Sequence, residues 1–165
     1  MTEGYSPEQV VLRLIRVING EVPRHVAEDY LDPHVRIHMD RAQHKGIATW
    51  YKWIHLIRHW GRLANLRMIP QAIGSDPATP SMVLLSMRWT GIDRSSKQSV
   101  VTPHTYRLRY LVRNGHVVEI WTHKINYDVI FGPWIKWSIG YRSLLGSAIV
   151  YFVLLSLRGI DYRFD

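Results

Sequence analysis

Apolar residues recur at helical spacing early in the chain and at every second position later, so the pattern predicts helices first and strands after. Val10, Val11, Leu14, Ile15, Val17 and Ile18 form one wide apolar face. Ser6-Pro7-Glu8-Gln9 before it reads as an N-cap, a proline at the first helical position and a capping box, and Gly20 suits the stop. A short second helix over 23–30 buries Val26, Ala27 and Tyr30, and Asp32-Pro33 turns the chain. Val35, Ile37 and Met39 alternate with Arg36, His38 and Asp40, a short strand. From Gly46 a longer helix carries Trp50, Trp53, Ile54, Ile57 and Trp60 on one side, opposite Lys52, His55, Arg58 and His59. Such an aromatic stripe reads as packing rather than as a cofactor box. Strands follow over 66–73 and 82–92, the second alternating Val83, Leu85, Met87 and Trp89 against Leu84, Ser86, Arg88 and Thr90.

The last pattern is a hairpin over 102–128, centred on Asn114-Gly115, a pair suited to a type I′ turn with positive φ at both positions. A two-residue loop sets Arg113 opposite His116, Tyr110 opposite Glu119, Leu108 opposite Trp121 and Tyr106 opposite His123. One face then gathers His104, Tyr106, Tyr110, Glu119, Trp121 and His123, bulky residues with titratable tips. The other carries Arg107, Arg109 and Thr122 among others. Helices early and antiparallel strands late give an α+β domain with helices on one face of the sheet.

Composition narrows the classes. At 165 residues the chain suits one domain with a real core, and without cysteine it has neither disulfides nor thiolate chemistry. No apolar run follows the start, which points to an intracellular, cytoplasmic location, soluble or peripheral to a membrane. The net charge of +8 draws acidic partners, yet the basic residues are scattered singly and no nucleic-acid motif accompanies them, so no nucleic-acid partner is expected. Beyond residue 130 the composition shifts. Residues 131–165 form an apolar extension in which a helix over 143–157 would span about 22 Å, short of the ~30 Å hydrocarbon layer. It is expected to pack on its own domain, on a second subunit of a homodimer, or on a membrane surface through residues 134–158.

Gly46 opening the third helix, Trp89-Thr90-Gly91 in a middle strand, and Arg113-Asn114-Gly115-His116-Val117-Val118-Glu119-Ile120-Trp121 near the end together resemble the SnoaL-like proteins of the nuclear transport factor 2-like superfamily. The resemblance covers roughly residues 6–130. It implies a strongly curved, mainly antiparallel sheet wrapped around helices into a cone with a deep pocket. Family enzymes include polyketide cyclases, ketosteroid isomerase, limonene epoxide hydrolase and scytalone dehydratase, most working without metal or cofactor. The fold also serves non-catalytic binding proteins. His38 stands where limonene epoxide hydrolase has a polar strand residue, His123 where it has a carboxylate, and Arg88 where it has an arginine. Thr90 replaces the second carboxylate, so epoxide hydrolysis by that route is disfavoured. A pocket rich in histidine and tyrosine is more similar to scytalone dehydratase.

The expected activity is therefore a cofactor-independent acid–base isomerisation or cyclisation of a hydrophobic polyketide or terpenoid intermediate. Dehydration, or non-catalytic binding of an apolar ligand, is the alternative. His123 is the first candidate for moving a proton near neutral pH, against a core histidine bonded to Tyr106. His38, Glu119 and Asp40 are candidates for the second group, although simple alternation turns His38 and Asp40 away from Val35, Ile37 and Met39. Tyr106 would donate to a developing oxyanion. Tyr110, Trp121, Trp89, His104, Trp53 and Arg88 are the expected substrate contacts. The remaining histidines show no metal-ligand grouping, and no metal site is expected.

Overall fold

A computed structural model describes residues 4–39, 42–60 and 62–123, with all their side chains except those of Leu56, Trp60 and His123. Asp40 and the whole C-terminal extension lie outside the described residues. Helix α1 spans Pro7–Ile18. Its start is fixed as the sequence predicts: Gln9 N–H donates to Ser6 Oγ at 3.3 Å, and Ser6 N–H donates to Gln9 Oε1 at 2.9 Å. Gly20, at φ +71°, takes the left-handed conformation just beyond the end. The short second helix is a 3₁₀ segment, Arg24–Asp29.

Strand β1, Leu31–Met39, starts earlier than expected: Asp32-Pro33 lies inside it, where its pairing is irregular, and does not turn the chain. Strand β2, Ala42–Lys45, was not legible from the pattern. Helix α2, Ile47–His55, runs on into a π-helical turn, Leu56–Trp60. Strands β3, Leu63–Asp76, and β4, Thr79–Asp93, form a long hairpin, followed by β5, Ser99–Val101, β6, Tyr106–Arg113, and β7, His116–His123. The strands form one sheet in the order β2-β1-β7-β6-β4-β3, with β5 paired to β4. All pairs are antiparallel except β1 with β7.

Curvature comes from irregular pairing. The β3–β4 register shifts between Ala64 and Arg67, again between Pro70 and Ala72, and near the turn. Each shift bends the ribbon and raises its twist. At the first, Asn65 has φ 51°, and a Cβ on Gly91 would sit 2.7 Å from the Ala64 carbonyl oxygen, so only glycine lets the strands approach there. The bent sheet wraps α1 and α2 in an α+β cone. Its core joins Val10, Val11 and Leu14 of α1 to Val83, Leu85 and Met87 of β4, each at most 1% exposed. Each such side chain contributes about 1.5–3 kcal/mol by leaving water.

The Asn114-Gly115 turn forms as predicted, with φ 51° and 76° and Arg113 opposite His116. The register behind it does not follow. Val112 pairs with Val117, but Leu111 pairs with Glu119, leaving Val118 as a bulge. From there every pairing is offset by one. Tyr110 faces Ile120, Arg109 faces Trp121, Leu108 faces Thr122 and Arg107 faces His123. The cause is tertiary: Val117 N–H donates to the Tyr30 carbonyl at 2.7 Å, tying it to the entry of β1.

Candidate functional site

Between the helices and the concave face of the sheet lies a partly open cavity of about 100 Å³. Ile18 of α1, Trp50, Trp53 and Ile54 of α2, and Ile57 of the π turn form its helical side. Ile37 and Met39 of β1, Met68 of β3, and Met87 and Trp89 of β4 form one part of the sheet side. Tyr106, Leu108 and Tyr110 of β6, with Ile120 and Thr122 of β7, complete it, and Arg107 reaches its edge. The strand residues sit there by alternation. In β4, positions 83, 85, 87 and 89 are buried while 84, 86, 88 and 90 are not. The volume is below the ~300–1,000 Å³ typical for drug-sized ligands, so the space suits a compact molecule or one ring of a larger one.

The wall is apolar, with hydroxyl-bearing residues at few points. Tyr110 is 2% exposed, and burial pushes its phenol well above the ordinary tyrosine value. It therefore stays neutral and keeps its proton to donate. Tyr106 is 7% exposed. Thr122 Oγ1 donates to the His38 carbonyl at 3.0 Å, joining β7 to the neighbouring β1. Among the described residues neither a carboxylate nor an imidazole lines the cavity, and no cluster of histidines and carboxylates could hold a metal ion.

The bulge at Val118 divides the expected constellation. Tyr106, Tyr110, Trp89 and Trp53 are together in the cavity wall. Glu119 and Trp121 fall on the other face of the sheet with His38, so histidine, glutamate and tyrosine do not share one face. On that outer face Glu119 is paired with Arg36, and His38 Nε2 donates to Glu119 Oε2 at 3.1 Å. The His38 ring stacks on Trp121 at 5.0 Å, and the Arg109 guanidinium lies 5.8 Å from the same indole. Burial first, and then the Arg36 charge, lower the His38 pKa. Simple alternation thus decides the position of His38, with no bulge turning it inward. Arg88 also lies on the outer face, opposite Ile69, and His104 is exposed in the turn before β6. The His123 backbone pairs with Arg107, not Tyr106; its side chain and all of Asp40 lie outside the described residues.

Sequence reasoning missed Thr122, Ile120, Met68 and Met39 as cavity wall. For Met39 the signal was present in the alternation of β1. For Ile120 and Thr122 it was hidden by the bulge, which moves them from the expected outer face to the inner one.

No protein-family model and no curated protein matches the chain. Solved structures do. A protein named as a SnoaL-like polyketide cyclase from Jannaschia sp. CCS1 is similar over 79% of this chain and 99% of its own, at 17% identity and a TM-score of 0.60. A nuclear transport factor 2-like protein of unknown function from Burkholderia pseudomallei is similar over 79% and 100%, at 14% identity and a TM-score of 0.60. SalBIII, an epoxide hydrolase/cyclase-like enzyme of pyran ring formation in salinomycin, is similar over 74% and 92%, at 9% identity and a TM-score of 0.55. At these identities the likeness carries the fold: the chain has the cone of the SnoaL-like, nuclear transport factor 2-like proteins.

Proposed function

We propose that this cone is a cofactor-independent enzyme of the isomerase or cyclase kind, acting on an apolar carbonyl compound of polyketide or terpenoid character. The observation that carries the reading is the cavity itself, an apolar enclosure with Tyr106, Tyr110 and Thr122 in its wall. A neutral buried phenol is a donor suited to a carbonyl oxygen that gains charge as its α-proton leaves. In the proposed step a base takes that proton and the enolate oxygen is held by tyrosine. The enolate then either regains a proton at another carbon or attacks an electrophilic carbon of the same molecule to close a ring. We assign the base to His123, with Asp40 as its partner. His123 ends β7 opposite Arg107, which reaches the cavity edge, so the base is assigned to the rim of the cavity rather than its wall; Asp40 follows Met39, the partner of Thr122, in the sequence. Glu119 and His38 are assigned to holding β1 and β7 together rather than to proton transfer.

A second reading, binding without catalysis, is favoured by the absence of a carboxylate or imidazole in the cavity wall among the described residues. Deuterium uptake separates the two. The protein is incubated in D₂O with a panel of apolar cyclic ketones, and exchange at the α-carbon is followed by NMR. The enzyme reading expects exchange above the buffer rate, lost in His123→Ala, reduced by about 10²-fold in Tyr110→Phe, and unchanged in Glu119→Gln. Saturable ketone binding with exchange at the buffer rate contradicts it and leaves a binding module. Wild-type exchange in both His123→Ala and Asp40→Asn overturns the base assignment.

A further inference from the structure

A second polar feature lies behind the helical wall of the cavity. Arg24, at the start of the 3₁₀ segment, is only 9% exposed. Its Nη2 lies 3.3 Å from His59 Nε2, and because a guanidinium only donates, that ring nitrogen accepts. Its Nη1 is buried with no hydrogen-bond partner among the described residues. Arg58, immediately before His59 in the π turn, crosses the end of α1 so closely that a Cβ on Gly20 would sit 2.5 Å from its Nη2. Burial and then the charge of Arg24 lower its basicity, so the two guanidiniums act on each other.

Among the described residues the arginine ion pairs are Arg16–Glu21, Arg36–Glu119 and Arg62–Asp93; none involves Arg24 or Arg58. Glu28, on the same segment as Arg24, accepts instead from the Tyr51 hydroxyl at 3.5 Å. The carbonyl end of α1 offsets part of the Arg58 charge. Among the described residues nothing comparable faces Arg24 Nη1. Two like charges withdrawn from water without a counter-charge are costly, and a bound anion removes that cost. His59, bonded to Arg24, is exposed, and Arg94 adds positive charge there by donating to the carbonyls of Arg58 and His59 at 3.1 and 3.2 Å.

We propose that Arg24 and Arg58 bind one phosphate group, with His59 positioning Arg24. Two guanidinium forks suit the tetrahedral oxygens of a phosphate better than a single lysine point charge would. The phosphate is either the free ion or the head of an apolar phosphate monoester whose tail enters the cavity. Ile57 and Ile18, near Arg58 and Gly20 in the chain, line that cavity; this second source rests on the ligand-binding reading above.

The test is calorimetric titration of the full chain, in chloride buffer at constant ionic strength, with inorganic phosphate and with octyl phosphate. Saturable phosphate binding is expected, weakened about tenfold or more in Arg24→Met and in Arg58→Met by loss of a charge-assisted pair, and unaffected in Arg36→Met. Tighter binding of octyl phosphate than of inorganic phosphate identifies the head-and-tail ligand, and equal binding identifies the free ion. No saturable binding by the wild-type chain, or equal binding by wild type and Arg58→Met, overturns the proposal. Deuterium exchange on neutral ketones is measured without phosphate, so either idea can fail alone.

Discussion

The two faces of β6 and β7 are built from alternate residues of the same strands, yet they differ in kind. The inner face, Tyr106, Leu108, Tyr110, Ile120 and Thr122, encloses an apolar space. The outer face carries Arg107, Arg109, Glu119 and Trp121, tied to Arg36 and His38 of β1 by an ion pair, a hydrogen bond and ring stacking. One unpaired residue, Val118, decides which set is which beyond it. In a period-2 structure an insertion of one exchanges whole faces. A candidate site read from alternation is therefore only as good as the count of residues from the turn.

Inserting one alanine between Leu111 and Val112 breaks the comparison most severely. It gives Val118 a partner, removes the bulge, and turns Glu119 towards the core face while Ile120 turns out. A carboxylate left without its partners inside costs about 3–5 kcal/mol, so urea denaturation should show lost or strongly weakened cooperative unfolding. Val118→Ala, which keeps the count, should unfold like the wild type. Equal stability of the insertion and the wild type would contradict the bulge.

The next contrast uses neighbours on β4. Met87 is fully buried in the cavity wall, whereas Leu84 is 41% exposed on the outer face. Met87→Ala should cost about 2–5 kcal/mol, and Leu84→Ala no more than about 0.5 kcal/mol, both read from denaturant midpoints at constant slope.

How much of this was legible follows from the range of the interactions involved. The α1 cap is a contact between residues three apart, Ser6 and Gln9, and the sequence shows it directly. The alternation of β4 and the Asn114-Gly115 turn are equally local. The bulge depends on Val117 meeting Tyr30, a contact between segments far apart in the chain, and nothing near Val118 announces it. Strands β2, Ala-Gln-His-Lys, and β5, Ser-Val-Val, were missed because they are short edge strands with little apolar pattern and take their order from β1 and β4. In the candidate site, Trp53, Trp89, Tyr106 and Tyr110 were legible as wall, since bulky residues before the bulge keep their face. Glu119 and Trp121, beyond it, could not be read correctly.

The smallest expected effect is on the outer face and depends on pH. His38 is held below the free-histidine value of 6.5, so the unfolded chain binds its proton more readily than the folded one. Stability from this group is then complete above the unfolded value and declines as pH falls through 6.5 towards the lowered folded value. His38→Gln should flatten that decline in melting temperature and lower the plateau above it slightly, through loss of the Trp121 stacking. An equal decline in wild type and variant would remove His38 from the account.

The claim underlying all of this is that the concave face, and not the face bearing Glu119 and His38, receives the ligand. Methionine methyl NMR tests it directly, because Met39, Met68 and Met87 line the cavity while Met82, on β4, does not. With ¹³C-methyl methionine and a saturating apolar cyclic ketone, the account predicts shifts at Met39, Met68 and Met87, each assigned by substitution to leucine, and none at Met82. Saturable ketone binding that leaves those three signals in place would contradict it.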